Sequence, residues 1–119
     1  MFYLKKITKQ DATRTPLVSS KALSTFFNIK FDGRDSEKYI DLFIINSEKS
    51  MVTLIKKKQD NRIYLDKKAF ICFIENSILV FQKSNNKFSA QCFSKLDKEY
   101  GKLNELILIN GNNYITKKL

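Results

Sequence analysis

Along the chain, short runs of alternating apolar and polar residues outnumber runs with helical spacing. "MFYLKKIT" opens with β-formers in alternation and predicts a strand. "EKYIDLFIIN", "SMVTLIKK" and "NRIYL" predict further strands. "SILVFQK" and "KFSAQCFS" flank Ser84-Asn85-Asn86, a hairpin signal, because Asn tolerates the positive φ that such turns need. The tail "NGNNYITKK" predicts a turn and a last short strand.

Helical spacing is confined to a few places. "SSKALSTFF" puts Leu23, Phe26 and Phe27 on one side behind Ser19 or Ser20 as N-cap. "KLDKEYGKLNELILI" has helix-like spacing of Leu96, Tyr100, Leu103 and Leu106, weakened by Gly101. "KKAFICFI" suits either a short helix capped by Asp66 or a buried strand. A polar segment at 9–15 is closed by Pro16, and Asp32-Gly33 reads as a turn.

About six short strands and two small helices predict a mainly β barrel or sandwich with a single domain over residues 1–119. No internal repeat or low-complexity linker divides the chain. With 43% hydrophobic residues, ten Phe and one Pro, there is enough apolar surface to offset the entropy of ordering. Phe43, Phe70, Phe73, Phe81 and Phe93 fall where burial is expected, so they read as core and not as platforms for stacked bases.

Composition then narrows the chemistry. Cys72 and Cys92 lie in apolar company, "AFICFIE" and "SAQCFS", and are expected to be reduced core residues, not a bridge. There is no CxxC pair, no secretory pattern at the start and no apolar run near the ~20 residues that span a bilayer. The expectation is a cytoplasmic protein without a membrane partner. Absence of His removes Ser-His-Asp and Cys-His catalysis and the His-containing zinc sites. Gly33, Gly101 and Gly111 are too far apart for a phosphate-cradling loop. No cofactor, metal site or catalytic residue is therefore expected.

Charge points outward. Lys and Arg number 22 against 12 Asp and Glu, a net charge of +10 that favours polyanionic partners, nucleic acid first. Two segments combine that charge with hydrogen-bonding side chains. In the first, Lys5 and Lys9 accompany Gln10, Asp11, Thr13, Arg14 and Thr15; in the second, Lys56, Lys57 and Lys58 accompany Gln59, Asp60, Asn61 and Arg62. Major-groove readout needs this mixture, because Arg and Lys pair with guanine, Gln and Asn with adenine, and lysines hold phosphates. Solvated loops would have the same polarity. Two other classes stay open: a small Mg²⁺-dependent nuclease using Asp41, Asp66 and Lys68, and a basic protein-interaction domain.

The order of these pieces resembles the DNA-recognition domain of EcoRII-like restriction endonucleases. "YLKKITKQDATRTPLVSSKALSTFF" is similar to that family's opening strand, "Y-x-K-R-L-(S/T)-x-x-D", its Thr-containing arm and the hydrophobic helix beyond. "NRIYLDKKAF" resembles its second arm, "N-x-x-R-I", and "SILVFQK" its hairpin, "G-D-x-L-V-F-x-K". The resemblance implies a seven-stranded open pseudobarrel, mainly β with two short helices, of the kind shared with the plant B-three type DNA-binding domains. It also implies two arms, at 9–15 and 56–62, that grip the major groove. Double-stranded DNA would be the partner of a monomeric module, together with a nuclease subunit or fused nuclease domain. This chain has Leu17-Val18 or Ser19-Ser20 where the family often has His-Gln, and Glu75-Asn76-Ser77 where it has the hairpin glycine, so its target sequence should differ.

Overall fold

A computed structural model describes residues 1–9, 26–28, 36–57, 63–65, 74–85 and 87–119. Seven strands and one helix fall within them: β1 (Phe2–Lys6), β2 (Ser36–Ile44), β3 (Lys49–Lys57), β4 (Ile63–Leu65), β5 (Ile78–Ser84), β6 (Lys87–Phe93), α1 (Tyr100–Asn110) and β7 (Asn113–Thr116). The strands form one open sheet in the order β4-β3-β2-β6-β5-β1-β7. Its ladders are antiparallel except for β2 with β6, which run parallel through three residue pairs, Leu42 with Phe88 to Ile44 with Ala90. This architecture is mainly β and pseudobarrel-like. The expected helix behind Ser19 or Ser20 and the run "KKAFICFI" lie outside the described residues, apart from Phe26, Phe27 and Ile74.

Alternation sends one set of side chains inward. Tyr3, Ile40, Leu42, Ile44, Leu79, Phe81, Phe88 and Ala90 are buried on one face of the sheet, where Phe26 and Phe27 close over them. The rings interlock. Tyr3 stacks on Phe81 at 5.8 Å, Phe27 stacks on Phe88 at 5.7 Å, and Phe26 meets Phe27 edge to face at 5.0 Å. Pairs of this geometry add about 0.5–1.5 kcal/mol each beyond their burial.

The opposite face is covered only in part. Leu4, Ile78 and Val80 pack under Leu103 and Ile107 of α1. The helix starts at Tyr100 because Asp97 organises the turn before it, accepting from the Ser94 amide at 2.6 Å while the Asp97 carbonyl takes the Tyr100 amide at 3.1 Å. It ends at Gly111, whose φ of 98° suits glycine and whose amide donates to the Ile107 carbonyl at 2.7 Å. Gly101 lies within the helix without stopping it. Leu96, expected on the apolar stripe, is 96% exposed in the preceding turn.

Two further expectations are corrected. Phe43 is 41% exposed, because its side of β2 lies beyond the reach of α1; Phe81 is buried and Phe93 half-buried, and Phe70 and Phe73 lie outside the described residues. Cys92 is not a free thiol but disulfide-bonded. It sits half-buried at the end of β6, where the Asn46 side chain holds its amide at 2.8 Å and its carbonyl at 3.0 Å. The chain's other cysteine is Cys72, outside the described residues. At the other end of this hairpin, Asn85 takes the expected positive φ, 50°, just beyond the closing pair Ser84 with Lys87.

Candidate nucleic-acid interface

The two polar segments leave the sheet from different strands and opposite ends. β1 antiparallels β5, β5 antiparallels β6, and β6 parallels β2, so β1 and β2 point the same way while β3 points back. The first segment follows the end of β1, beside the start of β5; the second bridges β3 and β4, where Lys57 pairs with both Ser36 and Ile63. At about 3.4 Å per residue, the two roots are separated along the strands by roughly 30 Å. The sequence had no means of showing this separation.

The root of the first segment is well anchored. The Ile7 amide donates to the Ser77 carbonyl and the Asn76 amide to the Ile7 carbonyl, both at 2.8 Å. Lys6 reaches α1, its Nζ donating to Asn104 Oδ1 at 2.9 Å, and the Tyr3 hydroxyl donates to Asn113 Oδ1 at 2.7 Å. Lys9 is exposed just beyond this anchor. Lys5 is not: at 8% exposure it shares the inward side of β1 with Tyr3.

At the second root, Lys56 and Lys57 are the last residues of β3, opposite Tyr64 and Ile63 of the edge strand β4. Gln10, Thr13, Arg14, Thr15, Lys58, Gln59, Asn61 and Arg62 lie outside the described residues. So do Asp66 and Lys68 of the nuclease alternative, while Asp41 is exposed on β2. Among the described residues no three His, Cys, Asp or Glu side chains cluster as metal ligands.

Sequence reasoning missed one feature. Where β2 parts from β6, a cleft of about 450 Å³ opens between β2 and the β5–β6 hairpin. Lys83 and Lys87 line it together with Asn28, Asp41 and the rings of Tyr39 and Phe88. Lys83 is held in place, its Nζ donating to the Phe26 carbonyl at 3.1 Å and lying 5.5 Å from the Phe88 ring centroid. The hairpin sequence "QKSNNK" carried the cations, but the parting of the strands that makes a cleft of them is a tertiary fact.

The open, mainly antiparallel sheet with one parallel contact has the form of a pseudobarrel. Two solved structures share it with this chain. The N-terminal domain of Helicobacter pylori LlaJI.R1 matches with a TM-score of 0.75 and 21% identity, covering 98% of this chain and 98% of that one. The B3 domain of the UbaLAI restriction endonuclease, solved with its cognate DNA, matches with a TM-score of 0.63 and 17% identity, covering 98% of this chain and 80% of that one. No family model matches the chain, and no curated protein does. The expected likeness to restriction-type pseudobarrels is borne out as a likeness of fold.

Proposed function

We propose that this chain is a sequence-specific, double-stranded DNA-binding module of a restriction-like system, with cleavage left to a nuclease domain or subunit. The observation that carries the reading is its fold, shared over 98% of its length with a restriction-endonuclease B3 domain solved on cognate DNA. The net charge of +10 supports it, since phosphate neutralisation supplies much of the affinity of such modules. Lys9, Lys56, Lys57 and Lys58 hold phosphates. Thr13 and Thr15 flank the base-reading side chains, which are Gln10, Arg14, Gln59, Asn61 and Arg62. Placed at opposite strand ends, the two segments enter the major groove from either side of a duplex that crosses the sheet.

Selection from a random duplex pool followed by salt titration on the recovered site tests this reading. With about six phosphates neutralised, log affinity falls with log salt at a slope near −5. Arg62→Ala is expected to cost about 1–3 kcal/mol on the selected site and little on random DNA, whereas Lys57→Ala weakens both alike. A slope near zero, or a pool that yields no preferred site, would overturn the reading.

A further inference from the structure

The cleft beside the β5–β6 hairpin belongs to neither arm, yet it lies near the second one. Ser36 and Glu37 of β2 pair with Lys57 and Lys56, and Tyr39, which lines the cleft, follows two residues later. About 450 Å³ is within the usual range for small-molecule sites, and the lining divides by chemistry.

Three kinds of group meet there. Tyr39, 67% exposed, and Phe43, 41% exposed, offer ring surface that the core does not use. Asp41 supplies carboxylate acceptors and Asn28 both an acceptor and donors, the complement of a base's amino and carbonyl edge. Lys83 and Lys87 supply cations from the hairpin side. A site for a bare anion would have no use for the carboxylate, and one for an apolar ligand would have no use for the lysines. A ring face, a base edge and a phosphate together describe a nucleotide.

We propose that this cleft binds a single unpaired nucleotide, its base against Tyr39 and Phe43, its edge on Asp41 and Asn28, and its phosphate on Lys83 and Lys87. Two sources share that chemistry: a nucleotide extruded from the duplex, which rests on the DNA-binding reading, and a free mononucleotide, which does not. Extrusion costs least where a base is already unpaired, so a duplex with a one-nucleotide bulge is the favoured form of the first.

The test compares a paired duplex, the same duplex with a one-nucleotide bulge carrying 2-aminopurine, and AMP alone. Anisotropy and 2-aminopurine fluorescence report on the duplexes, and amide chemical shifts report on AMP. The bulged duplex is expected to bind about tenfold more tightly than the paired one, with quenched fluorescence as the base stacks. Tyr39→Ala and Lys87→Ala, both at exposed positions, should abolish that gain without changing affinity for the paired duplex. If bulge and pair bind alike but AMP shifts the Tyr39, Asp41 and Lys87 amides, the occupant is a free nucleotide. Should the paired duplex fail to bind while AMP still shifts those amides, the DNA-binding reading falls and the cleft stands. No bulge preference and no AMP shift in the cleft overturns the proposal, whatever the paired duplex does.

Discussion

The two halves of the sheet solve different problems with similar strands. In the half built from β1 and β5, both faces are buried: Ile78, Leu79, Val80 and Phe81 are buried in succession, because Leu79 and Phe81 enter the core while Ile78 and Val80 lie under α1. In β2 burial alternates instead, with Ile40, Leu42 and Ile44 inside and Tyr39, Asp41 and Phe43 outside. A two-sided strand reads as a continuous apolar run and a one-sided strand as an alternating one. "ILVF" and "YIDLFI" show the difference in the sequence itself. One half is thus a fixed anchor, and the other keeps a bare face with rings and a carboxylate beside the proposed nucleotide cleft.

The contrast breaks most sharply at two phenylalanines. Phe81 touches the rings of Tyr3, Phe26 and Phe27 and has no exposed surface, so Phe81→Ala should cost about 3–5 kcal/mol in urea unfolding. That is a large share of the roughly 5–15 kcal/mol that holds a domain folded. Phe43→Ala, on the bare face, should cost about 1 kcal/mol or less. Equal losses would mean that the bare half is covered after all. A finer version uses neighbours on α1: Leu103→Ala should cost about 2–5 kcal/mol, since Leu103 is 5% exposed, and Leu108→Ala, 73% exposed, no more than about 0.5 kcal/mol.

What the sequence made legible follows the same division. The strands announced themselves because alternation and turn chemistry are local, and Asn85 adopts the positive φ that an asparagine there predicts. The helix was visible through Leu103 and Leu106, but Leu96 was counted in it because spacing alone does not show that Asp97 turns the chain first. Phe43 was misplaced for a related reason: whether an apolar side chain on a strand is buried depends on what packs over that face, and α1 covers only half the sheet. Lys5 shows the opposite case, a cation that alternation places on the inward side. Of the candidate interface, the two cationic segments were legible as composition. Their opposite exits depend on the parallel contact between β2 and β6, which no local pattern encodes.

A modest effect is also the most informative about how the anchored half holds the root of the first polar segment. Tyr100, at the start of α1, donates its hydroxyl to the Asn76 carbonyl at 2.7 Å, and the Asn76 amide in turn donates to the Ile7 carbonyl. Tyr100→Phe keeps the ring packed against the apolar cluster under α1 and removes only that bond, so global stability should fall by about 0.5–1.5 kcal/mol. The local consequence should exceed the global one. Amide exchange at Ile7 and Asn76 should quicken while Leu42, on the other half of the sheet, keeps its protection, because opening free energies differ from region to region. Uniform quickening would show that the hydroxyl stabilises the whole sheet equally, and the division between an anchoring half and a bare half would then be one of burial alone.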